Sequence, residues 1–395
     1  MTMPVKGRAL LVAILSASFA STIGGLPFNS LPVLLGSLAD SYGFAPRTVG
    51  LIGSTCFAGY LAGTLGAPVW MNRLDWRALT LVSAAGTAGA FVLAAAVRQL
   101  PVMFAAWALI GFFASTMTCL GMRVLADVPD KVRAFGVRQG TELSVTAAVL
   151  FALPPLVIAH WHFAGAALAL ALVVAVLALS ALRLPRGPMV APNRAPGSLR
   201  ALPRAASFVL LTFFLFLVGN IGLWAFLERV GASLHIAPAS EGLVFAVLKL
   251  LGGLAAFSTA LAGERFGRRA PLAAATALVM LGLALLASAT GFAMFALGAW
   301  SWEFAFTCGC VLQTAEIARA DATGRAVVLA PAAFALASML GPGLAGRLLA
   351  GGSFAPVFAL ALASSLVPLG VMALRGVIGR ARRRTRGRAR PVRAG

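Results

Sequence analysis

Long apolar runs of about twenty residues alternate with short polar turns along almost the whole chain. A helix of that length, at about 1.5 Å rise per residue, crosses the hydrocarbon core of a bilayer. The first run follows Lys6 and Arg8 and is longer than a signal-peptide core, so it predicts a retained first helix. The pattern predicts an all-α integral membrane protein with twelve transmembrane helices. The predicted spans are residues 9–36, 47–70, 78–97, 101–126, 134–159, 163–183, 206–227, 239–262, 270–289, 292–316, 326–349 and 354–376.

The positions of the basic residues indicate that one unit occurs twice. Of the twelve Lys and Arg residues up to position 187, five fall on another Arg when the sequence is shifted by 192 positions. About one would do so by chance, because roughly a tenth of the second half is basic. We therefore predict two pseudo-symmetric six-helix bundles. The predicted domains are an N-terminal bundle (1–184), an interdomain loop (185–205), a C-terminal bundle (206–377) and a basic tail (378–395).

Composition supports a membrane location. Sixty per cent of the residues are hydrophobic and 11% are charged, whereas a soluble domain carries about a quarter charged residues. The net charge of +21 does not indicate nucleic-acid binding, because the basic residues lie in turns and in the tail, without interleaved aromatic residues to stack bases. The four cysteines lie within apolar runs without metal or disulfide spacing, so we expect packing roles and no metal site. They are Cys56, Cys119, Cys308 and Cys310.

The distribution of Lys and Arg predicts the orientation in the membrane. With twelve spans, 27 basic residues lie on the side of the N-terminus and four on the other side. Because basic loops stay in the cytoplasm, both termini and the interdomain loop are expected there, in a cell inner membrane. The stretch from Arg380 to Arg393 carries eight Arg, and we expect it to bind anionic lipid headgroups.

Two turns at matching positions carry related motifs. The turn 264–269 reads Glu-Arg-Phe-Gly-Arg-Arg, and the turn 72–77 reads Asn-Arg-Leu-Asp-Trp-Arg. The first turn, with twelve spans in two copies and a long middle loop, resembles the major facilitator superfamily of secondary transporters. The resemblance implies alternating access, with these turns as gates on the cytoplasmic side. The second turn departs from the family pattern at Asn72, Asp75 and Trp76. The expected gating residues are Arg73, Asp75, Arg77, Glu264, Arg265, Gly267, Arg268 and Arg269.

Three ionisable residues lie near the middle of predicted spans: Glu142, Lys249 and Glu303. A charge at the bilayer centre costs roughly 3 kcal/mol, so such residues are retained mainly beside a partner or a wet cavity. The resemblance places all three spans around the central cavity. Lys249 and Glu303 lie at similar depth and form either a structural lock or a pair that opens for substrate or proton. Glu142 is a candidate proton carrier, unless Arg138, one turn away, pairs with it.

Four amides in the spans are further candidates for the cavity. Asn29, Asn220, Gln139 and Gln313 either bind substrate or form hydrogen bonds between helices. Apolar helices of this kind barely constrain which face turns inward.

The sequence therefore predicts a secondary transporter of a small organic molecule, without cofactors, monomeric and coupled to H⁺. No Walker loop, nucleophile elbow or His-Glu-x-x-His motif is present, so we do not expect an enzyme. The Gly341-Pro342-Gly343 motif resembles one carried by exporters and slightly favours efflux. The alternatives are a proton-coupled importer of an organic anion drawn to Lys249, and, less favoured, a membrane receptor or enzyme.

Overall fold

The computed structural model describes residues 8–44, 46–71, 73–187, 202–236, 238–349 and 353–388. All regular structure within these ranges is helical. Asn72, residues 188–201 of the interdomain loop and residues 389–395 of the tail lie outside them, as do the side chains from 375 onward. The helices are α1 (Arg8–Tyr42), α2 (Pro46–Trp70), α3 (Trp76–Ala96), α4 (Leu100–Leu125), α5 (Lys131–Leu153), α6 (Ala159–Ala178), α7 (Arg204–Ser233), α8 (Pro238–Ala262), α9 (Arg269–Ala287), α10 (Phe292–Ala320), α11 (Ala330–Leu348) and α12 (Ala355–Arg388). A π-helical turn, Pro154–Ile158, follows α5, a 3₁₀ turn, Leu179–Arg183, follows α6, and a short helix, Arg325–Val328, precedes α11.

Eleven helical segments of the described chain are long and apolar enough to cross a membrane, and one of them, Lys131–Arg183, has 53 residues. A straight helix of that length would extend roughly 80 Å, far more than a bilayer core. The backbone of His162 leaves the helical region, with φ 52° and ψ −151°, so α5 and α6 are separate spans. The Phe163 N–H donates to Ser41 Oγ at the end of α1, whereas Leu184 accepts from Arg77 at the start of α3. Because α6 thus returns across the membrane, the prediction of twelve transmembrane helices is confirmed.

Five turns of the described chain lie on one side of the molecule, which we call the basic side because each has Lys or Arg within it or at an adjoining helix end. This side comprises residues 71–75, 126–130, 184–187, 263–268 and 321–324. The Trp76 N–H donates to the Arg186 carbonyl at 3.1 Å, which ties two of these turns together. Helices α1–α6 pack mainly with one another, and so do α7–α12.

The two halves meet most closely where α5 packs against α8. A Cβ atom at Gly136 would lie 2.7 Å from the Ala256 carbonyl oxygen, and one at Gly140 would lie 2.8 Å from the Phe257 ring. Glycine at position 136 therefore lets the two backbones approach this closely, and glycine at position 140 leaves room for the Phe257 ring. Both contacts lie in the half of α5 nearest the basic side.

A second contact between the halves lies nearby. The Cys119 thiol of α4 is fully buried. It donates to the carbonyl of Val328, the last residue of the short helix before α11, at 3.2 Å. Together with the contact between α5 and α8, it closes the basic side of the cleft between the halves.

Replacing Gly136 by leucine is expected to separate α5 from α8. Overpacking of this kind destabilises by about 1–3 kcal/mol. We expect a lower thermal unfolding temperature and faster maleimide labelling of Cys119, in a chain with the other three cysteines replaced by alanine. Gly89→Leu is the matched control, because a Cβ at Gly89 meets no atom within 4 Å. Equal labelling of the Gly136 and Gly89 variants would contradict the assignment of this contact.

Candidate functional site

A cavity lies between the two halves, midway along the helices. Its volume is about 110 Å³ and its walls come from α1, α2, α4, α5, α7, α8, α10 and α11. Its polar side chains include four charged groups and two amides. These six residues are Asn29, Arg138, Gln139, Glu142, Lys249 and Glu303.

The N-terminal half contributes an ion pair on one face of α5. Arg138 Nη1 lies 2.6 Å from Glu142 Oε2, and the two residues are 6% and 8% exposed. Residues four positions apart on a helix face each other, which is how α5 presents both groups together. Arg138 also donates to Ser21 Oγ at 3.1 Å and to the Gln139 side-chain oxygen. Glu142 is therefore not a lone carboxyl. Its pairing with Arg138 weakens its candidacy as a proton carrier.

Helix α1 holds the second oxygen of this carboxylate. Asn29 Nδ2 donates to Glu142 Oε1 at 3.3 Å and to the Gly25 carbonyl at 2.9 Å. A Cβ atom at Gly25 would lie 2.3 Å from the Glu142 carboxyl group. Glycine at position 25 thus leaves the space that the carboxylate occupies, and any larger residue would displace it.

The C-terminal half contributes a looser ion pair. Lys249 Nζ of α8 lies 3.4 Å from Glu303 Oε1 of α10. The Glu303 side chain is 5% exposed and the Lys249 side chain 21% exposed. The Lys249 ammonium also lies 4.2 Å from the centroid of the Trp224 ring, within range of a cation–π contact. The structure thus brings together the two residues that the sequence placed at similar depth.

Aromatic side chains form much of the remaining wall. The Phe28 and Phe334 rings meet edge to face across the two halves, with centroids 5.5 Å apart. The Phe28 ring also lies 6.0 Å from the Tyr60 ring, whose hydroxyl donates to Thr118 Oγ1. On the other wall, Phe306 stacks on Trp302 and Phe216. The cavity therefore combines charged groups with an apolar, ring-lined surface.

Two of the four predicted amides do not line this cavity. Asn220 is fully buried, and its side chain bonds the Phe216 carbonyl, Ser365 Oγ and Trp302 Nε1. It therefore joins α7, α10 and α12, and its placement in the cavity is corrected to helix–helix bonding. Gln313 lies nearer the basic side, beside Arg268 and Glu316, and its side-chain nitrogen and oxygen have no hydrogen-bond partner within the described chain. Its predicted place in the cavity is therefore corrected to a position outside it, nearer the basic side.

Several residues in or beside the cavity were not predicted there from the sequence. Arg138 was detectable, because it lies four positions before Glu142 in an apolar span. Phe28, Phe334 and Trp224 were not, since aromatic residues are common throughout these helices and their spacing does not distinguish a cavity wall from a lipid-facing surface.

The C-terminal gating turn contacts both halves on the basic side. The Glu264 carboxylate accepts a hydrogen bond from the Arg319 side chain and lies beside Lys131, the first residue of α5. A carboxylate is stabilised at a helix N-terminus by the unpaired N–H groups and the helix dipole. Arg268 Nε lies 3.5 Å from Glu316 Oε1 at the end of α10, and Gly267, with φ 67°, permits the turn. Arg265 and Arg269 are exposed.

The described part of the N-terminal gating turn stays within its own half. Asp75 caps α3 by accepting from the N–H groups of Arg77 and Ala78, at 2.8 and 3.0 Å. Arg77 Nε donates to the Leu184 carbonyl at 2.7 Å, and Arg73 is exposed. These residues therefore hold the end of the chain that follows α6, and the gating role of Arg73, Asp75 and Arg77 stays a prediction.

Trp76, in the same turn, packs against an arginine that contacts the C-terminal half. The ring is fully buried, and the Arg123 guanidinium lies 5.6 Å from its centroid. Arg123 also forms a buried ion pair with Asp127 at 2.8 Å and packs against Gly324 in the C-terminal half. The departure of this turn from the family pattern thus coincides with a different contact between the halves.

This fold, with its charged central cavity and its gating turns, is that of a membrane transporter. The family model of the Major Facilitator Superfamily matches residues 10–317. The chain therefore belongs to the Major Facilitator Superfamily and is a secondary transporter rather than an enzyme. No curated protein sequence matches it significantly.

Solved structures of transporters share its fold. The proton:xylose symporter XylE is 13% identical, with a TM-score of 0.71 over 91% of this chain and 95% of that one. The E. coli fucose:proton symporter FucP is 17% identical, with a TM-score of 0.72 over 93% and 98%. The human organic anion transporter MFSD10 is 17% identical, with a TM-score of 0.68 over 92% and 100%. At these identities the likeness shows the fold alone.

Replacing Glu264 by glutamine is expected to loosen the basic side. The hydrogen bond from Arg319 holds the pKa of Glu264 below its ordinary value, so the carboxylate keeps its charge at neutral pH and loses it only as the pH falls through that lowered pKa. We therefore expect Glu264→Gln to raise maleimide labelling of Cys119 above the parent rate when both chains are labelled at pH 7.

Arg265→Gln is the control for this experiment, because Arg265 lies in the same turn and is exposed. If both variants label at the parent rate, Glu264 does not hold the gate.

Proposed function

We propose that this transporter couples the movement of a small organic molecule to the proton gradient. The observation that carries the proposal is the presence in the cavity of one buried carboxylate from each half, each paired with a cation. Charged groups at this depth are costly, at roughly 3 kcal/mol each, and are retained mainly where a transported ion or substrate uses them. A carboxylate can take up a proton on one side and release it on the other.

One proton supplies enough energy for useful transport. Its movement through a potential of about 100 mV releases roughly 2.3 kcal/mol. Since about 1.4 kcal/mol corresponds to a tenfold ratio of concentrations, this supports a gradient of about fiftyfold for a neutral substrate. A single titrating carboxylate is therefore sufficient, with H⁺ as the only coupling factor and no cofactor.

Glu303 is the better proton acceptor of the two carboxylates. Glu142 lies 2.6 Å from Arg138 on the same helix, and Asn29 donates to its other oxygen. Glu303 lies 3.4 Å from Lys249 on a different helix, so its ion pair is longer and depends on the positions of two helices. Because this pair can separate when α8 and α10 move, we assign the proton-coupling role to Glu303, while the pair on α5 stays together.

Transport then proceeds by alternating access. The basic side faces the cytoplasm with both termini, in a cell inner membrane, as the excess of basic residues there supports. The closed contacts of this side represent the state in which the cavity is shut off from the cytoplasm. Rocking of the two halves separates Gly136 from Ala256 and releases Glu264 from α5. The chain works as a monomer, and its basic tail binds anionic lipids.

Two fold neighbours are described as proton symporters and a third as an organic anion transporter, which is compatible with this proposal. Export has less support. Gly341, in the motif that favoured it, packs so closely on α7 that a Cβ atom would lie 2.5 Å from the Val218 carbonyl oxygen. Helix packing accounts for that glycine without reference to the direction of transport.

Glu303→Gln is expected to abolish proton coupling. In everted vesicles with a pH-sensitive dye, a transported compound from a panel of cations, anions and neutral molecules should change the proton gradient with the parent chain but not with this variant. Asp40→Asn, at the exposed end of α1, should behave as the parent does. Undiminished coupling in Glu303→Gln would contradict the role of this carboxylate.

A further inference from the structure

We infer that the cavity binds an organic monoanion with a single ring as its apolar body, and carries it together with one proton as a symporter. This inference rests on the proposed proton coupling and adds the substrate class and the direction of coupling. It is carried by the charge balance of the cavity, by the accessibility of its cations and by its aromatic wall.

The charges of the described cavity residues sum to zero. Arg138 and Glu142 cancel within α5, and Lys249 and Glu303 cancel between α8 and α10. An empty cavity thus holds no uncompensated charge and can change sides at low electrostatic cost. Return of the empty carrier is the step that a symporter needs and that an antiporter has to prevent.

Adding one proton changes this balance. Protonation of Glu303 leaves Lys249 without its counter-charge and gives the cavity a net charge of +1. One monoanion beside Lys249 restores neutrality, so the carrier loaded with both again crosses without an unpaired charge. A neutral substrate would leave the positive charge in place, and a cationic substrate would double it. The charge balance of the cavity therefore favours an anionic substrate over a neutral or a cationic one.

Lys249 is the cation best placed to receive the anion. Its side chain is the most exposed of the four charged groups, at 21%, whereas that of Arg138 is 7% exposed. Its long contact with Glu303 and its contact with Trp224 leave the ammonium free to shift within the cavity. Arg138 adds a second donor, because its buried Nε has no hydrogen-bond partner among the described residues.

The wall and the size of the cavity define the body of the ligand. Phe28, Phe334 and Phe306 offer ring edges and faces within the same space. Aromatic pairs in such arrangements contribute about 0.5–1.5 kcal/mol beyond their buried area. A cavity of about 150 Å³ in another protein holds benzene, so a volume of about 110 Å³ limits the ligand to about one ring in this conformation.

The test uses purified protein in detergent and four probes that keep their charge over the pH range. Benzenesulfonate is the ring-bearing anion, benzenesulfonamide its neutral match, phenyltrimethylammonium its cationic match, and methanesulfonate the anion without a ring. Binding is measured by ligand-dependent thermal stabilisation and by the fluorescence of the chain. We expect benzenesulfonate to bind at least tenfold more tightly than the other three.

Proton linkage gives the second readout. Benzenesulfonate affinity should rise as the pH falls, by up to about tenfold per unit for one linked proton. Glu303→Gln, which mimics the protonated acid, should bind the anion tightly at every pH. Lys249→Gln should lose at least tenfold in affinity at low pH, and Lys249→Arg, which retains the charge, should recover most of it and controls for folding.

The possible failures are distinguishable. Preference for the cationic or neutral probe, or loss of anion binding in Glu303→Gln, overturns the inference. If Glu303 nevertheless couples proton flux to a cationic or neutral compound in vesicles, the proposed proton coupling stands without the anion. If benzenesulfonate binds at Lys249 independently of pH, the coupled uptake inferred here is wrong.

Discussion

The structure depends on neutralising four charges at the middle of a membrane. Arg138, Glu142, Lys249 and Glu303 would each be costly in hydrocarbon. Pairing them within each half leaves neither half with an uncompensated charge in the cavity, so the halves can move relative to each other. The two pairs differ in length, at 2.6 and 3.4 Å, and this difference separates a fixed pair from one that can open. The fixed pair holds α1 and α5 together, and the other pair is the one to which we assign proton coupling.

Movement requires an interface between the halves that is close but reversible. On the basic side, glycine at positions 136 and 140 brings α5 against α8 without side chains that would interlock. Polar contacts at the edge then select the closed state, because Glu264 from one half sits at the first turn of α5 in the other. The matching turn of the N-terminal half works differently. Its Asp75 is used to cap α3, and a buried Trp76 with Arg123 makes the contact toward Gly324.

Much of the fold could be predicted from the sequence, because a membrane imposes strong constraints on composition and length. Apolar runs placed twelve spans, and the family resemblance is confirmed by the match over residues 10–317. One break was less clear: the turn between α5 and α6 contains no polar loop and depends on the backbone of His162. The charged residues of the cavity were also detectable, because charged side chains are rare within membrane spans.

The internal repeat did not help to locate the rest of the site, because even the charged cavity residues do not follow it. Shifted by 192 positions, Glu142 falls on Phe334, and Lys249 and Glu303 fall back on Phe57 and Gly111. A duplicated framework therefore carries an unduplicated cavity. The helices are apolar on all sides, so periodicity did not show that Asn220 turns toward α10 and α12, nor that Gln313 lies outside the cavity.

Uptake of labelled benzenesulfonate into proteoliposomes, with the pH difference and the membrane potential imposed separately, tests the central claim most directly. A proton and a monoanion moving together carry no net charge. We expect a pH difference, acidic outside, to drive accumulation, and a potassium diffusion potential of either sign to leave the rate unchanged. Uptake that follows the potential and ignores the pH difference would contradict the account of a cavity that is neutral both empty and loaded.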